Sequence, residues 1–152
     1  MRDSQDKAKA FALKLLSYRQ RSEAEIRDRL LRKGFSLEII EDLLKELKAS
    51  GLIDDKEAAK SFFRVAKESR LLGGRAIKEY LLIRGINPEL IDEVTEGLDE
   101  MESATMIVKK WLRKQRIDDP VSEERFKKFM LRKGYSMETI NSLIKQLKEE
   151  VR

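Results

Sequence analysis

The sequence contains neither cysteine nor histidine, and in 152 residues it has only two prolines, seven glycines and one tryptophan. Without cysteine there are no disulfides and no thiol chemistry, and the loss of histidine removes the commonest metal ligand and the usual general base at neutral pH. A nucleophile has to come from serine, lysine or a carboxylate, and no serine stands in a strained elbow motif. The phosphate-cradling patterns G-x-x-x-x-G-K-[ST] and G-x-G-x-x-G are missing too, which leaves Gly73-Gly74 as a turn. No apolar run approaches the roughly 18 residues of a membrane span, and Met1-Arg2-Asp3-Ser4 does not open a signal peptide. The chain therefore reads as soluble and cytoplasmic, without membrane contact. Strands are not indicated either, because no stretch alternates apolar and polar residues cleanly. These absences favour a binding protein that needs no cofactor or metal over an enzyme.

What the chain does have is one phrase written three times. Leu30-Leu31-Arg32-Lys33-Gly34-Phe35-Ser36 returns as Leu81-Leu82-Ile83-Arg84-Gly85-Ile86-Asn87 and as Met130-Leu131-Arg132-Lys133-Gly134-Tyr135-Ser136, with the glycines 51 and 49 residues apart. A fixed period of this length marks a repeat architecture. The boundaries fall at residues 1–50, 51–100 and 101–152, as three repeats of one continuous domain.

Each repeat is predicted to hold three helices. After the glycine, Ser36, Asn87 and Ser136 are N-cap residues, and Pro88 follows at the first helical position of the middle copy. Ile40, Leu43, Leu44 and Leu47, like Ile140, Leu143, Ile144 and Leu147, then recur at helical spacing and form a buried stripe. Before the glycine, a helix is predicted from Ser22, from Gly73-Gly74 and from Ser122, with Ser22 and Glu25 in capping-box spacing. Ala8, Phe11, Ala12 and Leu15, then Ala59, Phe62, Phe63 and Ala66, then Ala104, Ile107, Val108 and Trp111 mark the remaining helix of each copy. The glycine ends its helix in the left-handed conformation, where a Cβ is penalised. Nine helices and an all-α fold follow. With 41% hydrophobic and 40% charged residues, the composition suits an elongated, curved solenoid whose repeats contact only their neighbours.

The net charge of +5 is modest, but the signs are segregated. Lys60 to Arg84 carries seven basic residues against Glu68 and Glu79, Glu89 to Glu102 carries seven acidic residues and no basic one, and Lys109–Arg116 and Arg125–Lys133 carry five basic residues each without an acid. Cations in the last turn of a helix offset its macrodipole, which accounts for Arg32, Lys33, Arg84, Arg132 and Lys133 singly. Taken together with Arg64, Lys67, Arg70, Arg75 and Lys78, and with Arg125 and Lys128, they form candidate binding stripes for a polyanion. Trp111, Phe62, Phe63, Phe126 and Phe129 share helical faces with aliphatic residues and read as core. Phe35, Tyr80 and Tyr135 fall outside the main stripes, though base stacking is not the favoured role for them. The pair Asp54-Asp55, just after Gly51, reads as helix capping.

The stretch from Ala12 to Ile26, then Lys33-Gly34-Phe35, Gly51-Leu52-Ile53-Asp54-Asp55, and Gly74-Arg75-Ala76-Ile77-Lys78-Glu79-Tyr80-Leu81 with Arg84-Gly85-Ile86, resembles the RecX family of recombinase regulators over most of residues 12–147. The sequence departs from that pattern at Ala58-Ala59, where an aromatic residue and alanine are expected, and at Gly73-Gly74, where Gly-Pro is expected. The resemblance implies tandem three-helix repeats that lie in the groove of the RecA filament on single- or double-stranded DNA and lower its ATPase and strand-exchange activity. It thus implies a monomeric regulator of homologous recombination, DNA repair and the SOS response that acts by contact. A helix-turn-helix-like DNA-binding protein with little sequence specificity is the alternative, disfavoured by the scarcity of base-reading amides beyond Asn141 and Gln146 in the final helix. A helical scaffold that docks a partner on the acidic segment Glu89 to Glu102 is a third possibility.

Overall fold

The computed structural model describes residues 2–151, and among them every regular element is helical. Nine α-helices follow in order: α1 (Arg2–Tyr18), α2 (Glu23–Lys33), α3 (Leu37–Ala49), α4 (Asp55–Arg64), α5 (Gly74–Ile83), α6 (Pro88–Thr95), α7 (Met101–Leu112), α8 (Pro120–Arg132) and α9 (Met137–Val151). One element lies outside the sequence-based expectation. A single π-helical turn, Val65–Ser69, continues α4 and closes with the Arg70 N–H donating to the Val65 carbonyl at 3.1 Å.

The helix ends follow their caps. Ser22 and Glu25 form a reciprocal capping box at the start of α2, and the side chains of Ser36, Asn87 and Ser136 accept backbone N–H groups at the starts of α3, α6 and α9. Gly34, Gly85 and Gly134 stand at φ +97°, +84° and +93°, and the residue after each donates its N–H back to Leu30, Leu81 and Met130. One helix start differs from the sequence reading: α8 begins at Pro120 rather than near Ser122. Asp119 caps it, and Ser122 supplies the return bond of that box. Proline at the first helical position has its φ preset, and its missing N–H needs no partner there.

The chain divides into two compact units, Met1–Phe62 with Leu81–Val94, and Phe63–Tyr80 with Thr95–Arg152. In the first, α1 packs on α2 and α3 around Ala8, Ala12, Leu15, Ile26, Leu30 and the stripe from Ile40 to Leu47. In the second, α7 and α8 pack on α9 around Ile107, Phe126, Met130, Ile140 and Leu143. Tyr135 departs from its expected place outside the stripes. It is only 2% exposed, because its ring joins this second core and its hydroxyl donates to the Leu71 carbonyl at 2.7 Å.

The aspartate pair divides its labour. Asp54 accepts the N–H groups of Lys56 and Glu57 and so caps its own helix, whereas Asp55 accepts the Glu23 N–H at 2.8 Å and caps α2. Burial pushes the Asp55 carboxyl above its usual range, and that hydrogen bond only partly counters it.

Candidate nucleic-acid interface

Twelve basic side chains were singled out in the sequence, and the structure treats them unequally. In the first unit, Arg32 pairs with Asp28 on the same helix, the Lys33 ammonium lies 5.4 Å from the Phe11 ring centre, and half-buried Arg84 lies 5.9 Å from the Phe62 ring centre. The other nine belong to the second unit. There Lys67 reaches Glu102 at 3.9 Å, and Arg75 pairs with Glu79 while also donating to the Leu131 carbonyl at 2.8 Å. Arg64, Lys78, Arg125, Lys128 and Arg132 are exposed on α4, α5 and α8.

Arg70 and Lys133 are brought together by the π-helical turn. A π turn carries one residue more than an α turn and is frequent at functional sites. Here it delivers the chain to Leu71 at φ +53°, a left-handed conformation that costs a non-glycine residue about 1–3 kcal/mol. Two bonds hold that conformation: the Tyr135 hydroxyl donates to the Leu71 carbonyl, and the Leu72 N–H donates to the Ala66 carbonyl at 3.0 Å. The bend leaves the Arg70 guanidinium over Tyr80, 5.2 Å from the ring centre, and its carbonyl accepts from the Lys133 ammonium at 2.8 Å.

The end of α7 completes the arrangement with Lys110, Arg113 and Lys114. These three with Arg70 and Lys133 rim a depression of about 490 Å³, floored by Leu71, Ile107, Trp111 and Phe129, with no carboxylate in its lining. None of the five cations has an ion-pair partner among the described residues. Burial first, and then the charges of Lys110 and Arg70, hold the Lys133 ammonium below its usual range. Positive charge at this place is thus not ion-paired by any described residue. A hollow of about 560 Å³ beside Leu112, Ile117 and Leu147 contrasts with it, since Arg116, Asp118, Glu123, Lys148 and Glu150 line that one with both signs.

Trp111 packs against the second core, as its helical face suggests, and stands at the edge of that core. Its ring packs on Phe126 and Phe129, with centroids 5.6 and 4.9 Å apart, but the residue is only half-buried and lines the depression. Its buried indole N–H finds no acceptor among the described residues. Lys110, Arg113 and Lys114 were visible as part of the basic run Lys109–Arg116, but helical spacing alone did not show that this run faces Arg70 and Lys133. The acidic segment holds a structural residue that charge counting did not reveal. Glu100 accepts the Gly74 N–H, the N–H and hydroxyl of Ser136 and the Thr139 hydroxyl at 2.7–2.9 Å, so one carboxylate caps both α5 and α9. Burial raises its pKa, but these four donors outweigh burial and hold the carboxyl below its usual range. The described residues include no group of three or more acidic side chains placed to hold a metal, and no helix long and apolar enough to cross a membrane.

An all-helical repeat protein with a carboxylate-free basic depression is the class that fold and site define. Residues 8–47 match the family model for the first three-helix domain of RecX. The regulatory protein RecX of Mycobacterium leprae is 31% identical over 147 residues, which span 93% of this chain and 86% of that protein. That of Bacillus licheniformis is 29% identical over 139 residues, and there the chain spans only 53% of the relative's length. Among solved structures, RecX from Lactobacillus salivarius superposes with a TM-score of 0.84 at 24% identity, over 97% of this chain and 99% of that one, a likeness of fold. A second solved regulatory protein RecX superposes with a TM-score of 0.82 at 29% identity, over 95% of this chain and 74% of that one. The chain belongs to the RecX family of regulatory proteins.

Proposed function

We propose that this chain is a cytoplasmic regulator of the RecA recombinase, which binds the RecA–DNA filament as a monomer and lowers its ATPase and strand-exchange activity. The observation that carries this reading is the 31% identity to a regulatory protein RecX across 93% of the chain. Contact rather than chemistry is the mode of action. The second unit offers five cations, Arg70, Lys110, Arg113, Lys114 and Lys133, without an ion-pair partner among the described residues, a surface whose positive potential draws a polyanion and weakens with salt. By occupying the filament's DNA or the acidic surface near it, the chain opposes the rearrangements that accompany ATP turnover. The test is RecA's DNA-dependent ATPase at rising concentrations of the chain, with co-sedimentation of the filament at low and at physiological salt. Turnover falls as the chain co-sediments. Unchanged turnover on a filament saturated with the chain contradicts the proposal.

A further inference from the structure

We infer that the depression between Arg70, Lys110, Lys114 and Lys133 is a binding site for single-stranded nucleic acid, which seats one nucleotide over Trp111 and Phe129 and holds the adjoining phosphates in the basic rim. The inference rests on the proposed regulation of a DNA filament but goes further, because it requires the chain to hold a strand by itself.

Three observations select this ligand. Every charged residue of the lining is basic, with Ser69 and Gln115 the neutral polar ones, and no carboxylate lines the site, so a phosphodiester is complementary and a cation or a mixed-charge surface is not. The floor is aromatic and aliphatic, and among nucleic acids only an unstacked base can use such a floor, since duplex DNA keeps its bases inside and presents phosphate and groove edges. The volume of about 490 Å³ suits one nucleotide rather than a folded element of another protein. The site is also held in place: Lys133 is fixed to the Arg70 carbonyl, and Leu71 beneath it is fixed by Tyr135.

The chain's only tryptophan is its own reporter. Oligothymidylate titrated into the protein without RecA is expected to change Trp111 fluorescence, with an affinity that falls as salt rises. The double variant Lys110→Ala, Lys114→Ala should bind at least tenfold more weakly at low salt, and the slope of log affinity against log salt should decrease by about 0.7 for each lysine lost. Lys45→Ala on α3, an exposed lysine of the first unit, should behave as the parent. Anisotropy of a labelled oligonucleotide follows Trp111→Ala, which should bind more weakly while circular dichroism remains helical. If Trp111→Ala loses its fold, Lys110→Ala, Lys114→Ala decides alone. Unchanged fluorescence and anisotropy with oligothymidylate overturn the inference, as do equal responses to a polyglutamate peptide, to free ATP or to a duplex of the same length. RecA ATPase measured on the same preparation separates the two claims. Inhibition without oligothymidylate binding removes this site and leaves the regulatory reading standing, and binding without inhibition does the reverse.

Discussion

Residues 30–36 and 130–136 carry nearly the same phrase, yet the protein uses the two copies differently. Around Gly34 a Cβ would meet nothing within 4 Å, Arg32 is paired with Asp28, and Ser36 does no more than cap α3. Around Gly134 the space is full: a Cβ would fall on the Ala76 side chain and within 2.5 Å of its backbone nitrogen, and the Gly134 carbonyl accepts the Arg75 N–H. Lys133 is spent on the Arg70 carbonyl, Tyr135 on the Leu71 carbonyl, and Ser136 on Glu100. Gly85 is a third case that follows the second, for it presses on Ala24 while the Ser22 hydroxyl donates to the Arg84 carbonyl. The turn is thus the same local solution everywhere, and what it docks against decides its cost and its use. In the middle and last copies it packs on the start of an earlier helix, at Ala24 of α2 and Ala76 of α5, whereas nothing among the described residues stands in that place beside Gly34.

The contrast breaks most sharply at the glycines. Gly134→Ala is expected to cost about 3 kcal/mol or more, since a left-handed alanine adds to a steric conflict with Ala76 that no flexible side chain can relieve. Gly34→Ala, which bears only the conformational term, should cost about 1 kcal/mol. Urea midpoints of the two variants measure the difference directly, and equal midpoints would remove the distinction.

Glu100 comes next. Its replacement by Gln removes charge-assisted bonds to Gly74, Ser136 and Thr139 and should cost about 1.5–3 kcal/mol at neutral pH. Because the folded pKa lies below that of the unfolded chain, the carboxylate stabilises above roughly pH 4.3 and its contribution is lost as pH falls through the folded value. Stability curves of parent and Glu100→Gln should therefore converge in acid; a constant gap would contradict the assignment.

The smallest effect is expected at Tyr135. Tyr135→Phe loses one hydrogen bond, about 1 kcal/mol, whereas Phe35 at the matching position has no hydroxyl to lose. Burial, and then the Glu100 charge, raise the Tyr135 pKa, so the parent keeps this stability below about pH 10, where the unfolded phenol ionises, and loses it above. Lys133 acts with the opposite sign: its lowered pKa makes stability rise with pH just below about 10.4. In Tyr135→Phe the alkaline decline should vanish and the lysine's rise become visible in melting temperatures across that range.

Much of this was legible in the residues. Apolar spacing, caps at Ser22, Ser36, Asn87 and Ser136, and the recurring glycine specify the helices through interactions within a few residues, which a sequence displays openly. The π turn at Val65–Ser69 and the left-handed Leu71 were not legible, because bonds from Tyr135 and the core around Leu71 impose them from more than sixty positions away. The basic site was half legible for the same reason. Its charges stood out as runs, but only the fold shows that Lys110, Arg113 and Lys114 face Arg70 and Lys133, and that Trp111, packed against the core, also lines the depression between them. Arg32 looked like the equal of Arg132 until the pairing with Asp28 separated them.

The central claim is that the cations of the second unit that no described residue ion-pairs, rather than the charge of the whole chain, act on the filament. The most direct measurement is the concentration that half-inhibits RecA's DNA-dependent ATPase, compared between Lys110→Glu with Lys114→Glu and Arg32→Glu with Lys33→Glu, two variants of identical net charge. The first pair should raise that concentration about tenfold or more, a loss of about 1.4 kcal/mol, and the second by about threefold at most. Equal rises in both variants, or a larger rise for the Arg32 and Lys33 pair, would contradict the account.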